Sequence, residues 1–172
     1  MKQQQQGMSL VEVMVAVVIL GLGLLGLGAM QSKAVAMNQS AYYRSIAADL
    51  GTNLADRIRA VRTPYVANAD ANPKPGKPPD FSKCPQKVAD LDLVECANQD
   101  ADRATYQGMT NAEMQEWLTA VRAQLPSATY TLIQEATSLT SDYLRYTLTI
   151  TWLDNRQESG AAANTTYTVV IE

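Results

Sequence analysis

The sequence predicts an α+β protein in which one long N-terminal helix lies across a small antiparallel sheet. Three patterns carry that expectation. Residues 8–30 are almost wholly apolar, residues 46–61 place apolar side chains three or four apart, and the last third of the chain alternates apolar and polar residues with a period of two. With 172 residues, 47% of them hydrophobic and 18% charged, the chain has the material for one packed domain beside the apolar run.

The helix begins in the apolar run. Residues 8–30 are 23 positions with one ionisable side chain, Glu12. At about 1.5 Å per residue they reach about 34 Å as a helix, enough to cross a bilayer core. A secretory signal has a shorter apolar region of about 7–15 residues, so this run reads as a membrane span, although Ala34-Val35-Ala36 has the composition of a cleavage site. Within it, Gly21-Leu22-Gly23-Leu24-Leu25-Gly26 matches the spacing of a dinucleotide-binding loop. The context is wrong for one: no strand and turn precede it, and no acidic residue follows inside a βαβ unit. Gly21, Gly23, Gly26 and Gly28 instead each lower helix propensity by up to about 1 kcal/mol relative to alanine, and permit close helix packing in lipid.

The helical pattern continues beyond the span. Ile46, Leu50, Leu54, Ile58 and Val61 form an apolar stripe among Arg44, Asp49, Asp56, Arg57, Arg59 and Arg62, and the helix is expected to end before Pro64. The two halves, 8–30 and 31–63, make one helix of about 50 residues. From 64 to 109 the expectation is a loop region, since Pro73, Pro75, Pro78 and Pro79 stand among Asn, Asp, Gly and Lys. In the segment 110–172, Thr110 and Glu113 have the spacing of a capping box. They are followed by Met114, Trp117, Leu118, Val121 and Leu125 at helical spacing, with Pro126 as the stop. Strands then follow. Tyr130 and Leu132 open the pattern; Leu144, Tyr146, Leu148, Ile150 and Trp152 alternate with Arg145, Thr147, Thr149 and Thr151; Tyr167, Val169 and Ile171 close it. Turns are expected around Asp154-Asn155-Arg156 and over 160–164, and Asn164-Thr165-Thr166, though it matches a glycosylation acceptor, reads as ordinary loop chemistry.

Composition also narrows function. A net charge of −3 provides no basic field for nucleic acid, so no nucleic-acid partner is expected. The chain has no histidine and only Cys84 and Cys96, so it lacks the ligands of a closed zinc or haem site and the usual base for acyl transfer. Neither cofactor nor metal nor catalytic residue is expected. Asp90, Asp92, Glu95, Asp100 and Asp102 read as a solvated acidic run.

What precedes the span is more specific. Met1-Lys2-Gln3-Gln4-Gln5-Gln6-Gly7 is a short polar leader ending in glycine, directly before Met8-Ser9-Leu10-Val11-Glu12. This resembles the leader of type IV prepilins and of type II secretion pseudopilins, in which a glycine precedes a hydrophobic residue and glutamate stands at the fifth mature position. The resemblance implies cleavage between Gly7 and Met8 by a prepilin peptidase and methylation of the Met8 amine. A carboxylate at mid-membrane costs on the order of 2.5–3.5 kcal/mol, less near an end, so Glu12 calls for a partner. In the family that partner is the N-terminal amine of a neighbouring subunit, and the pair sets axial register. The bland reading is a glutamate that snorkels to the interface.

The resemblance also implies the fold read from periodicity, the type IV pilin fold, and suggests that Gly21 to Gly28 can unwind in the filament; the proline common there in major pilins is absent. Gly21-Leu22-Gly23-Leu24-Leu25-Gly26-Leu27 leading to Gln31, with Ala47-Ala48-Asp49-Leu50 and Asn53-Leu54-Ala55-Asp56-Arg57-Ile58-Arg59, is similar to PilV-type minor pilins. That likeness covers the first third of the chain. It implies a subunit held in the inner membrane with a periplasmic domain, then carried into a pilus on the cell surface. Its expected partners are other minor pilins, the major pilin and a PilY-type tip adhesin. A minor pseudopilin and a signal-anchored periplasmic binding module or enzyme are the alternatives. In an oxidising compartment Cys84 and Cys96 have a loop length that a disulfide would stabilise by roughly 3 kcal/mol; two free buried thiols are the other reading.

Overall fold

A computed structural model of the chain describes residues 9–67, 78–97, 104–135, 145–154 and 163–172; at 66–67 and 104–108 the description is of backbone alone. Helix α1 spans Leu10–Ala67, 58 residues without a break. A 3-10 turn at Phe81–Lys83 follows, then helix α2 at Ala104–Gln124 and strands β1 (Thr129–Glu135), β2 (Arg145–Leu153) and β3 (Asn164–Ile171). The strands form one antiparallel sheet in the order β1-β2-β3. This is a type IV pilin-like α+β fold. The chain divides into two compact units, Met1–Ala41 and Tyr42–Glu172.

The period-two reading holds residue by residue. Tyr130, Leu132, Tyr146, Leu148, Ile150, Trp152 and Ile171 are buried on one face, with Tyr167 and Val169 half-buried beside them. Leu144, Asn155, Arg156 and the 160–162 part of the expected turn lie outside the described residues. Two helix boundaries differ from expectation. α1 does not stop before Pro64 but carries it in its last turn. A proline there removes only its own N–H from the ladder, leaving the Ala60 carbonyl without that donor, which is a smaller loss than a mid-helix break. The Thr63 hydroxyl also donates to the Arg59 carbonyl at 2.7 Å within that turn. α2 begins six residues before Thr110, so Thr110 lies inside the helix and is not its N-cap. It is fully buried and extends the stripe of Met114, Trp117 and Val121 at helical spacing, while Glu113 reaches across to α1 instead.

Within the unit Tyr42–Glu172, α1 and α2 cover the buried face of the sheet. Trp117 on α2 donates its indole N–H to the Leu50 carbonyl of α1 at 2.9 Å and meets Tyr130 of β1 edge-to-face, ring centroids 5.1 Å apart. Gly51 is a point of close approach between helix and sheet. A Cβ there would stand 3.1 Å from Tyr167 Cε1 and 3.3 Å from Val169 Cγ1, which is why this helical position carries no side chain. After α2, Leu125-Pro126 ends the helix and Ser127, at φ 52°, turns the chain into β1.

Candidate functional site

The first described residue is Ser9, so Gly7 and Met8, the expected processing site, lie outside the described residues. Immediately after them the Ser9 carbonyl accepts from the N–H of Glu12 at 3.0 Å and of Val13 at 3.3 Å, closing the first turn of α1. Glu12 therefore sits in that first turn, where the unpaired N–H groups of a helix favour a negative charge. Ser9-Leu10-Val11-Glu12 also has capping-box spacing, a signal that a reading focused on the cleavage pattern passes over. Glu12 thus has a local reason to open the helix.

Around it the helix is bare. Leu10, Val11, Val13, Met14, Val15, Val17, Val18, Ile19, Leu20, Leu22, Leu24, Leu25, Leu27 and Met30 are all exposed, fourteen large apolar side chains in 21 residues. Among the described residues α1 is the one helix long and apolar enough to cross a membrane. Fully burying such a side chain is worth about 1.5–3 kcal/mol, so covering fourteen that are roughly two-thirds exposed is worth on the order of 20 kcal/mol. That exceeds the net stability of a typical domain. The segment must be covered by lipid or by other helices.

The four span glycines separate into two groups. At 100° per residue Gly23 and Gly26 fall within about 40° of Glu12 on the helix wheel, whereas Gly21 and Gly28 fall on the opposite side. A Cβ at any of the four would meet nothing within 4 Å, in contrast to Gly51. Nothing in the packing of a single subunit demands them. What four glycines do at these positions is reduce helix propensity and flatten two faces for close contact.

Glu12 and the glycines share one helix; Cys84 and Cys96 belong to the unit Tyr42–Glu172. Their sulfurs form a disulfide, and both residues are buried. The loop they enclose is fastened on two sides. Gln86 bridges to Val94 and its side-chain carbonyl accepts the N–H of Tyr130 at the edge of β1, while the Tyr130 hydroxyl donates to the Cys84 carbonyl. On the α2 side, Gln115 accepts from the Val94 N–H at 2.9 Å and donates to the Asp92 carbonyl at 2.7 Å, and Arg122 pairs with Asp92 at 2.6 Å. Between these fastenings Val88, Leu91 and Leu93 are exposed. Burial pushes the Tyr130 phenol up, so it remains a neutral donor.

One grouping was not legible beforehand. Arg57 of α1 donates to Glu113 at 2.7 Å and Glu116 at 2.8 Å on α2, and to Asn53 at 2.9 Å on its own helix. The hydrogen bond to Glu116 is the main cause that raises the guanidinium; the same bond from Arg57 holds Glu116 below its ordinary range. The sequence separation is 56 and 59 residues, so no local spacing announces the contact. It ties the two helices rather than forming a reactive site.

Residues 2–28 match the prokaryotic N-terminal methylation motif. No curated protein and no solved structure matches the chain. The motif spans the polar leader, Gly7, Met8, Glu12 and all four span glycines, and it supports a type IV pilin or pseudopilin, a structural protein that is processed by prepilin peptidase and anchored in the membrane by its N-terminal helix.

Proposed function

We infer that this chain is a minor pilin of a type IV pilus, of the PilV type. It is made as a precursor, cut between Gly7 and Met8, methylated at the new Met8 amine, and drawn from the inner membrane into the filament through residues 8–30, its folded domain lying on the periplasmic side before assembly. The observation that carries the reading is the methylation motif running directly into a helix whose first turn holds Glu12 and whose next 18 residues are exposed and apolar.

In this reading each residue has a physical task. Gly7 leaves the scissile bond unobstructed. Met8 supplies the amine that pairs with Glu12 of a neighbouring subunit. An ion pair in apolar surroundings adds little net stability but strongly penalises any register that leaves one charge alone, so the pair specifies axial position. The exposed apolar side chains provide the burial energy of filament formation, and the glycines let helices approach or unwind. The domain carries the contacts to other minor pilins, the major pilin and a PilY-type tip adhesin.

Mass spectrometry of the protein recovered from sheared pili tests the class: the expected N-terminus is Met8 bearing one methyl group. A mature chain that retains Gly7, or begins after Ala36, refutes it. The same leader occurs in pseudopilins of type II secretion systems; recovery of the protein with secretion components in place of pilus components would move the assignment there.

A further inference from the structure

We propose that Ser9 is a positioning residue for removal of the leader: as the N-cap of α1 it holds the helix back from the Gly7–Met8 bond, so that the scissile carbonyl meets the peptidase unbound. The proposal rests on the processing reading above and starts from the backbone of the first turn. Ser9 stands just outside α1, which opens at Leu10, and its carbonyl accepts from the N–H of Glu12 at 3.0 Å and of Val13 at 3.3 Å. Those are the bonds of an N-cap residue, whose carbonyl has joined the helical ladder although the residue lies outside the helix. Leu10, Val11 and Glu12 are then its first, second and third helical positions.

Two acceptors then compete for one donor. A cap side chain takes the N–H of the second or third helical residue, here Val11 or Glu12. The Glu12 N–H is already bonded to the Ser9 carbonyl, which leaves the Val11 N–H to the Ser9 hydroxyl. Were the helix to run further back, its i to i−4 ladder would give that same Val11 N–H to the carbonyl of Gly7. Cleavage adds water across the Gly7–Met8 bond, leaving a Gly7 carboxylate and the Met8 amine, so the water must reach this carbonyl carbon. A carbonyl drawn into a helical turn is shielded by the residues that follow it. The sequence makes a stop necessary. Met8 and Gln3 to Gln6 are good helix formers, and Gly7 resists extension by only about 1 kcal/mol. An apolar medium adds to the tendency, because it penalises backbone groups without partners. Between Gly7 and Glu12, Ser9 is the one side chain with a hydroxyl or amide to oppose it.

The test measures cleavage of the full-length precursor by purified prepilin peptidase in detergent, with the product identified by mass and folding checked by tryptophan fluorescence. Ser9 is replaced by alanine, asparagine and glycine in turn. Alanine is a poor N-cap and the best helix former; asparagine caps as well as serine; glycine caps with a small loss and resists being drawn into a helix. The expected result for Ser9→Ala is a fall of up to about five-fold in kcat/KM, the factor set by a cap worth about 1 kcal/mol. It should appear in KM with kcat unchanged, because precursor withdrawn into a longer helix lowers only the competent fraction. Ser9→Asn and Ser9→Gly should be cleaved like the parent. Ser9→Ala cleaved at the parent rate overturns the proposal. So does Ser9→Gly slowed as much as Ser9→Ala, which would show that the enzyme reads the hydroxyl itself, and so does a fall confined to kcat. A parent chain that is not cut between Gly7 and Met8 is a different failure: it removes the processing reading, and the proposal with it, before any variant is compared.

Discussion

Gly51 offers the sharpest test of how helix and sheet are packed. Replacing it by leucine places a Cβ 3.1 Å from Tyr167 and 3.3 Å from Val169 and then adds three more carbons beyond it. Overpacking of this kind costs about 1–3 kcal/mol, and the upper end applies because the first added atom is already too close. Leucine returns about 0.8 kcal/mol of helix propensity relative to glycine, so the net loss is about 2 kcal/mol. With a urea dependence near 1.5 kcal/mol per molar for a domain of this size, the midpoint of unfolding falls by slightly more than about 1 M. The chain is suited to the assay, since Trp117 and Trp152 are both buried in the unit Tyr42–Glu172 and their fluorescence reports its unfolding alone. Gly23→Leu is the matched control: the same propensity change with no atom within 4 Å of the new Cβ, and no expected shift in the tryptophan transition. A Gly51→Leu midpoint equal to or above the parent value would refute the close approach of α1 to β3.

Other outcomes follow from the remaining contacts. Glu12→Ala is expected to leave cleavage at Gly7 intact while the mature protein is lost from sheared pili, as read by immunoblots of cell and pilus fractions; normal incorporation would remove Glu12 from its docking role. Converting both Cys84 and Cys96 to alanine should lower stability by about 3 kcal/mol on the chain-entropy estimate, measured as the urea midpoint of the same tryptophan signal. For the Arg57 pair, Glu116 is held below its ordinary value of 4.5 when folded, so its contribution is present above that value and lost as pH falls through the folded one. Arg57, raised in the folded state, loses its contribution only at strongly alkaline pH. Unfolding midpoints of the parent and Arg57→Met should therefore be separated above 4.5, the ordinary value, and converge as pH falls through the lowered folded value; a gap independent of pH would mean that Arg57 acts through packing alone.

Elements whose pattern is local were legible along the chain. Period-two residues from Tyr130 to Ile171 settled which face of each strand is buried, because a strand alternates faces whatever it packs on. The uninterrupted apolar run around Glu12 settled that this part of the helix must be covered from outside, since its burial energy is set by composition. The rest depended on contacts between distant residues. Pro64 reads as a stop, yet one missing N–H in a last turn is affordable once the stripe before it is packed. Thr110 and Glu113 read as a cap, yet Thr110 is drawn into the core and Glu113 is claimed by Arg57, 56 residues away. Gly51 has a reason only once the sheet packs against it, where a Cβ would stand 3.1 Å from the Tyr167 ring, whereas a Cβ on any of the four glycines of the span would meet nothing within 4 Å. Propensity and periodicity are properties of neighbours along the chain, and so they were readable. Where a loop such as the one bearing Gln86 comes to rest is set by contacts between residues far apart in sequence, such as its bond to the Tyr130 N–H, and no local pattern announces it.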